Sequence, residues 1–189
     1  LAVVAQVADH IVVLYNGEIK EAGPVETIIS KSEHPYTKRL MGAIKPLPKA
    51  GLGEASNHAH MRDVPALEAI SVDAGFGRDA EGKPKTMVLR DVNVAIERGK
   101  TVGIIGESGC GKSTLARVFA GLLPPSDGHL KLDGESIAPD LRNRSREELR
   151  KVQFVYQMAD TALNPRQRIK DIIGRPLEFY GGLTGAAKN

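Results

Sequence analysis

A single cysteine, Cys110, among 189 residues rules out an intramolecular disulfide and fits a reducing compartment. Tryptophan is missing and aromatic residues make up 4% of the chain, so any large core must be aliphatic. No apolar run approaches the roughly 18 uninterrupted residues of a membrane-spanning helix. The apolar opening, LAVVAQVADHIVVLY, is broken by Gln6, Asp9 and His10 and lacks the basic start of a secretory leader. A cytosolic protein is the expectation. Charge of one sign is not in large excess either: 26 Lys and Arg stand against 23 Asp and Glu, largely interspersed, for a net charge of +3. This argues against nucleic acid as a partner, because such partners call for a concentrated basic face. The one local excess, LRNRSREELRK (141–151), reads as a solvated helix with a capping box of Ser145 and Glu148 at its start.

What is present falls into two ordered ends and a loose middle. Residues 11–22 read as a hairpin: IVVLY is a β-rich run, Asn16-Gly17 is the strongest two-residue turn signal, and EIKEA returns. Pro24 opens a short helix, PVETIISKS, and another helical stretch follows HPYT through KRLMGAI. Residues 46–66 carry prolines, glycines and small residues without apolar periodicity, which is the pattern of a linker. The region 67–189 begins with a strand, LEAISVDAGF, followed by VLRDVNVAIERGK, which alternates at Val92, Val94 and Ile96. TVGIIG is expected as a strand buried on both faces, KSTLARVFAGLL as a helix, GHLKLDGE as a short edge strand and VQFVYQ as another buried strand. Residues 1–45 alone are too few for a stable domain.

GIIGESGCGKSTLARVFAG (103–121) carries the chemistry. Gly106, Gly111, Lys112 and Ser113 satisfy G-x-x-x-x-G-K-[ST], with Glu107, Ser108, Gly109 and Cys110 between them and Thr114 after. The glycines allow backbone N–H groups to converge on phosphate oxygens, and the following helix presents its positive end to the same phosphates. Lys112 can reach the β- and γ-phosphates, and the Ser113 hydroxyl can serve Mg²⁺. A strand before the loop and a helix after it are the context this motif requires. Cys110 reads as a small filler within the loop. His58 and His60 in HAH lack neighbouring ligands at metal spacing, His34 reads as local packing beside Pro35, and Asp133 reads as a turn residue.

The stretch VLRDVNVAIERGKTVGIIGESGCGKSTLARVFAGLLPPSDGHLKLDGE resembles the ATP-binding subunits of ABC transporters. Gln157 in FVYQ stands where that family has its Q-loop glutamine, and Phe76 in SVDAGFG where it has the aromatic that stacks on adenine. TALNPRQRIKDIIGRPL (161–177) and HPYTKRL (34–40) resemble segments of the oligopeptide, dipeptide and nickel importers. The resemblance implies an α/β P-loop fold with an antiparallel β subdomain, left incomplete and preceded by the tail of another such domain. Residues 1–45 would be the C-terminal end of a first ATP-binding domain, beginning just past its switch histidine, which is not His10. Residues 67–189 would start a second domain, making the chain the centre of a fused double ATPase. The resemblance further implies ATP and Mg²⁺ as cofactors, with Lys112 and Gln157 catalytic and Ser113 and Gln157 at the metal. Implied partners are membrane permease subunits, a second ATP-binding domain and, indirectly, an external substrate-binding protein, with the subunit on the cytoplasmic face of the membrane.

No LSGGQ-type signature and no apolar strand ending in Asp-Glu follows Gln157. The expectation is therefore an ATPase parent whose isolated piece is inactive. Two rivals remain at this point: a soluble ABC-type ATPase acting on ribosomes or DNA, and a non-catalytic nucleotide-binding fragment.

Overall fold

The computed structural model describes residues 2–42, 64–77, 79–157 and 163–182. The expected linker up to residue 63, the HAH histidines within it, and Thr161 and Ala162 at the start of the TALNPR segment lie outside these ranges.

The N-terminal segment folds as helix α1 (Ala2–Val7), strands β1 (His10–Tyr15) and β2 (Glu18–Pro24), and helices α2 (Val25–Lys31) and α3 (Pro35–Gly42). Asn16 and Gly17 both take left-handed φ values, 51° and 80°. Two such residues make the turn whose twist matches a β-hairpin. Helix α3 starts earlier than the sequence suggests, at Pro35. Proline suits a first helical position, and the His34 imidazole Nδ1 accepts the Tyr36 N–H at 3.1 Å, closing the helix start.

Strand β1 then does what the sequence does not announce. It pairs in parallel with β5 (Val102–Ile105), His10 opposite Val102 and Val13 opposite Ile105. The register is held by Asp9: its N–H donates to the Thr101 carbonyl at 2.9 Å, and its carboxylate accepts the Thr101 N–H at 2.7 Å. The sheet order is β2-β1-β5, with β1 in the centre. Alternate side chains of β1 enter two cores. Ile11 and Val13 meet Ile28 of α2, Tyr36 of α3 and Ile105. Val12 and Leu14 join Leu89, Val92, Leu115 and Val118 on the other face. At about 1.5–3 kcal/mol for each buried aliphatic side chain, this strand is a main source of cohesion between the two ends of the chain.

The second sheet is antiparallel, in the order β4-β3-β6-β7, from β3 (Leu67–Phe76), β4 (Thr86–Ile96), β6 (Asp127–Leu132) and β7 (Glu135–Ser136). Strand β6 is thus not an edge, since the two-residue β7 covers it. Helix α4 (Lys112–Phe119) packs Leu115 and Val118 into the shared core and stops before Gly121 at φ 72°. The buried Arg144 donates to the Phe119 carbonyl at 2.8 Å and the Ala138 carbonyl at 2.9 Å, placing a cation at the negative end of α4. Helix α5 (Arg146–Lys151) carries the expected capping box in full: Ser145 Oγ accepts the Glu148 N–H, and the Glu148 carboxylate accepts the Ser145 N–H. Only a 3-10 turn occupies 141–143 ahead of it. Helix α6 (Ile169–Gly181) follows.

Two expectations of burial are corrected. Strand β5 is only partly covered, because β1 flanks one edge and no strand pairs with the other among the described residues. Residues 153–157 form no strand, and Val155 is 90% exposed. A strand is held by its neighbours' backbone groups, and none lies beside this stretch among the described residues.

Candidate functional site

The loop between β5 and α4 is packed on its core side and open on the other. Gly106 sits so close to the Leu14 carbonyl of β1 that a Cβ there would collide with it and lie 2.6 Å from Cys110 Sγ. Gly111, the N-cap of α4, has φ 111°, which side chains other than hydrogen rarely tolerate. On the far side, a Cβ on Gly109 would meet nothing within 4 Å, so the loop is tight against the core and open outward.

Lys112 curls back over this loop. Its Nζ donates to the Gly106 carbonyl at 2.9 Å and the Glu107 carbonyl at 2.7 Å, and lies 3.6 Å from Cys110 Sγ. Ser108 and Gly109 are exposed, as are Glu107 and Ser113, while Cys110 and Thr114 are buried. Ser113 is exposed in the first turn of α4, one residue after Lys112. No side chain caps the start of α4, which leaves its first-turn N–H groups facing the open side. A cradle that a Cβ would close, one cation and uncapped amides form a donor set suited to an anion with several oxygens. They fit nucleotide phosphates, and the Ser113 hydroxyl fits an accompanying Mg²⁺.

The N-terminal segment supports the loop directly. The Gly17 N–H at the hairpin turn donates to the Cys110 carbonyl at 3.0 Å, and the Gly17 carbonyl accepts the Arg90 N–H of β4 at 2.9 Å. The Tyr36 hydroxyl accepts the Glu107 N–H at 3.1 Å. Sequence reasoning misses both, although the Asn16-Gly17 turn and HPYT were visible; what it lacks is any sign that they reach the loop.

The structure brings together Gly106 to Thr114 and leaves the other two candidates apart. Phe76 ends β3, 41% exposed, lining a cavity of about 490 Å³ with Lys83, Pro84, Pro124 and Pro125 rather than with the loop. Gln157 is exposed at the end of the unpaired stretch. Asp133 is a turn residue at φ 54° that also pairs with Arg98 and Lys151. Among the described residues no group of His, Cys, Asp and Glu could hold a metal on its own, and no helix is long and apolar enough to cross a membrane.

This loop, strand and helix define a P-loop nucleotide-binding domain. Residues 89–187, just over half of the chain, match the ABC transporter family, to which the chain belongs. A peptide import ATP-binding protein of Brucella abortus is 43% identical over 116 residues, covering 59% of this chain and 34% of that protein. The glutathione import ATP-binding protein GsiA of Escherichia coli is 30% identical over 212 aligned residues, covering 98% of this chain and 33% of that one. The chain thus spans about a third of the length of these curated relatives. A solved ATP-binding subunit of an ABC transporter overlaps 64% of the chain and 45% of its own length, at 26% identity and a TM-score of 0.48.

Proposed function

We propose that the chain is part of the ATP-binding, energy-coupling subunit of an ABC importer for short peptides, with nickel as the alternative cargo. The observation that carries this reading is the phosphate loop, in which Lys112 and the uncapped start of α4 face one open cradle. Bound ATP with Mg²⁺ would supply the scissile phosphoanhydride. Lys112 would turn from the loop carbonyls to the phosphate oxygens, and Ser113 would hold the metal. Gln157 is proposed as the residue that senses the metal or the attacking water, and Phe76 as the adenine platform. The relatives named for peptide and glutathione import support the choice of cargo.

Residues 1–45 are proposed as the end of one ATP-binding domain, 46–66 as a linker and 67–189 as the beginning of the next. Successive domains of one family are built alike, so the closing hairpin of the first suits the seat offered by the second. The β1–β5 ladder supports this, as does a match to GsiA that runs through 98% of the chain. The full-length parent would hydrolyse ATP at the cytoplasmic face of the membrane, partnered by permease subunits and a second ATP-binding domain.

The test is nucleotide affinity of the intact chain, measured with a fluorescent ATP analogue. Hydrogen bonds to charged groups contribute about 1.5–3 kcal/mol each, so Lys112→Ala should weaken ATP by roughly tenfold to a hundredfold. Wild-type affinity in the variant would contradict the reading. Salt-sensitive RNA or DNA binding in place of ATP would favour the ribosome- or DNA-directed alternative.

A further inference from the structure

The two ends of one peptide unit, Gly106–Glu107, are held by different partners. Its carbonyl, on Gly106, accepts from Lys112 Nζ at 2.9 Å. Its N–H, on Glu107, donates to the Tyr36 hydroxyl at 3.1 Å. A peptide group is planar and turns as a unit, so whatever fixes its N–H also fixes the direction of its carbonyl. We propose that Tyr36 is a positioning residue for the phosphate loop, setting the tilt of the Gly106–Glu107 peptide and through it the resting place of Lys112. This rests on the nucleotide-binding reading of the loop.

Tyr36 is well placed to act as a fixed post. It is 5% exposed and its ring stacks on Tyr15 with centroids 4.3 Å apart, while the Arg39 guanidinium lies 5.6 Å from the ring centre. The start of α3 is tied down by His34 Nδ1, which accepts the Tyr36 N–H, and by the Glu21 carboxylate, which accepts the N–H groups of Glu33 at 2.8 Å and His34 at 3.3 Å. Burial would raise the pKa of Glu21, but the Glu33 and His34 N–H donors help to outweigh it and hold the group below its ordinary value. Burial also pushes the Tyr36 phenol up, with the nearby Glu107 carboxylate adding to the effect, so the hydroxyl keeps its proton at neutral pH. A neutral phenol oxygen accepts the Glu107 N–H without placing a negative charge beside an anion site.

The residue is neither in the loop nor near it in sequence, and it reaches the site only because β1 docks on β5. A tyrosine at this position therefore makes loop geometry depend on the seating of the N-terminal segment. If the hairpin and α3 lift away, the Glu107 N–H loses its acceptor and Lys112 loses a fixed carbonyl.

The experiment compares Tyr36→Phe with Tyr15→Phe in the full chain. Both keep the paired rings, and Tyr15→Phe removes a hydroxyl that makes no hydrogen bond among the described residues. Two readouts are taken: ATP affinity, and the position of the Glu107 amide resonance in a ¹⁵N-labelled sample without nucleotide. Tyr36→Phe should weaken ATP about three- to tenfold, in line with the loss of one hydrogen bond, and should shift the Glu107 resonance. Tyr15→Phe should do neither. An unmoved Glu107 resonance in Tyr36→Phe overturns the proposal. So does an equal loss of affinity in both variants, which marks a general packing effect. Should the wild-type chain bind no ATP, the nucleotide-binding reading fails by itself, and the Glu107 resonance alone decides the role of Tyr36.

Discussion

Strand β1 and the stretch 153–157 lie at opposite extremes of burial. Val13 and Leu14 are fully buried, whereas Val155 is 90% exposed. Both are short runs rich in Val, aromatic and β-branched residues. The difference is in their neighbours: β1 has β2 on one edge and β5 on the other, with a core on each face. The second stretch has no paired strand among the described residues, and Phe154 and Tyr156 meet only edge to face at 4.8 Å. Apolar composition thus sets what a segment can bury, while partner edges decide whether it becomes a strand.

Three substitutions sharpen that contrast. The largest effect is expected from Leu14→Ala, which removes a fully buried side chain of β1 that also backs the loop glycines. Truncations of this kind cost about 2–5 kcal/mol, so denaturant unfolding should shift to markedly lower midpoint, and nucleotide affinity should fall with it. Gly17→Ala comes next. Its φ of 80° and the Val88 carbonyl in the path of a new Cβ both oppose the change. A loss of about 1–3 kcal/mol is expected, read by thermal unfolding, together with loosening of the Gly17 N–H bond to Cys110. The smallest effect belongs to Val155→Thr, within about 0.5 kcal/mol of wild type, as for exposed positions generally. A large loss there would mean that the stretch is packed as tightly as β1 and would break the comparison.

The sequence made the local devices legible. The Asn16-Gly17 turn, the glycine and lysine pattern of the loop, and the Ser145–Glu148 capping box all act over a few residues, and each appears where its residue types require. What could not be read is the pairing of His10–Val13 with Val102–Ile105 across the intervening chain, because β-ladder bonds run between backbones and leave no mark on side-chain identity. Tyr36 stayed hidden for the same reason: it meets Glu107 only after that ladder forms. The error at 153–157 has a related source, since a short apolar run reads as a buried strand whether or not an edge awaits it. Phe76 and Gln157 rest on resemblance rather than on local physics: Phe76 lines a cavity with Lys83, Pro84, Pro124 and Pro125, and Gln157 is exposed.

The central claim is that the N-terminal hairpin forms one cooperative unit with the phosphate-loop strand. Amide hydrogen exchange on the intact chain tests it most directly. The account predicts that the amides of Ile11–Leu14 and Ile104–Ile105 are protected together and open together under mild denaturant, while those of residues 153–157 exchange freely. Rapid exchange throughout β1 alongside full protection in β3, β4 and β6 would contradict it.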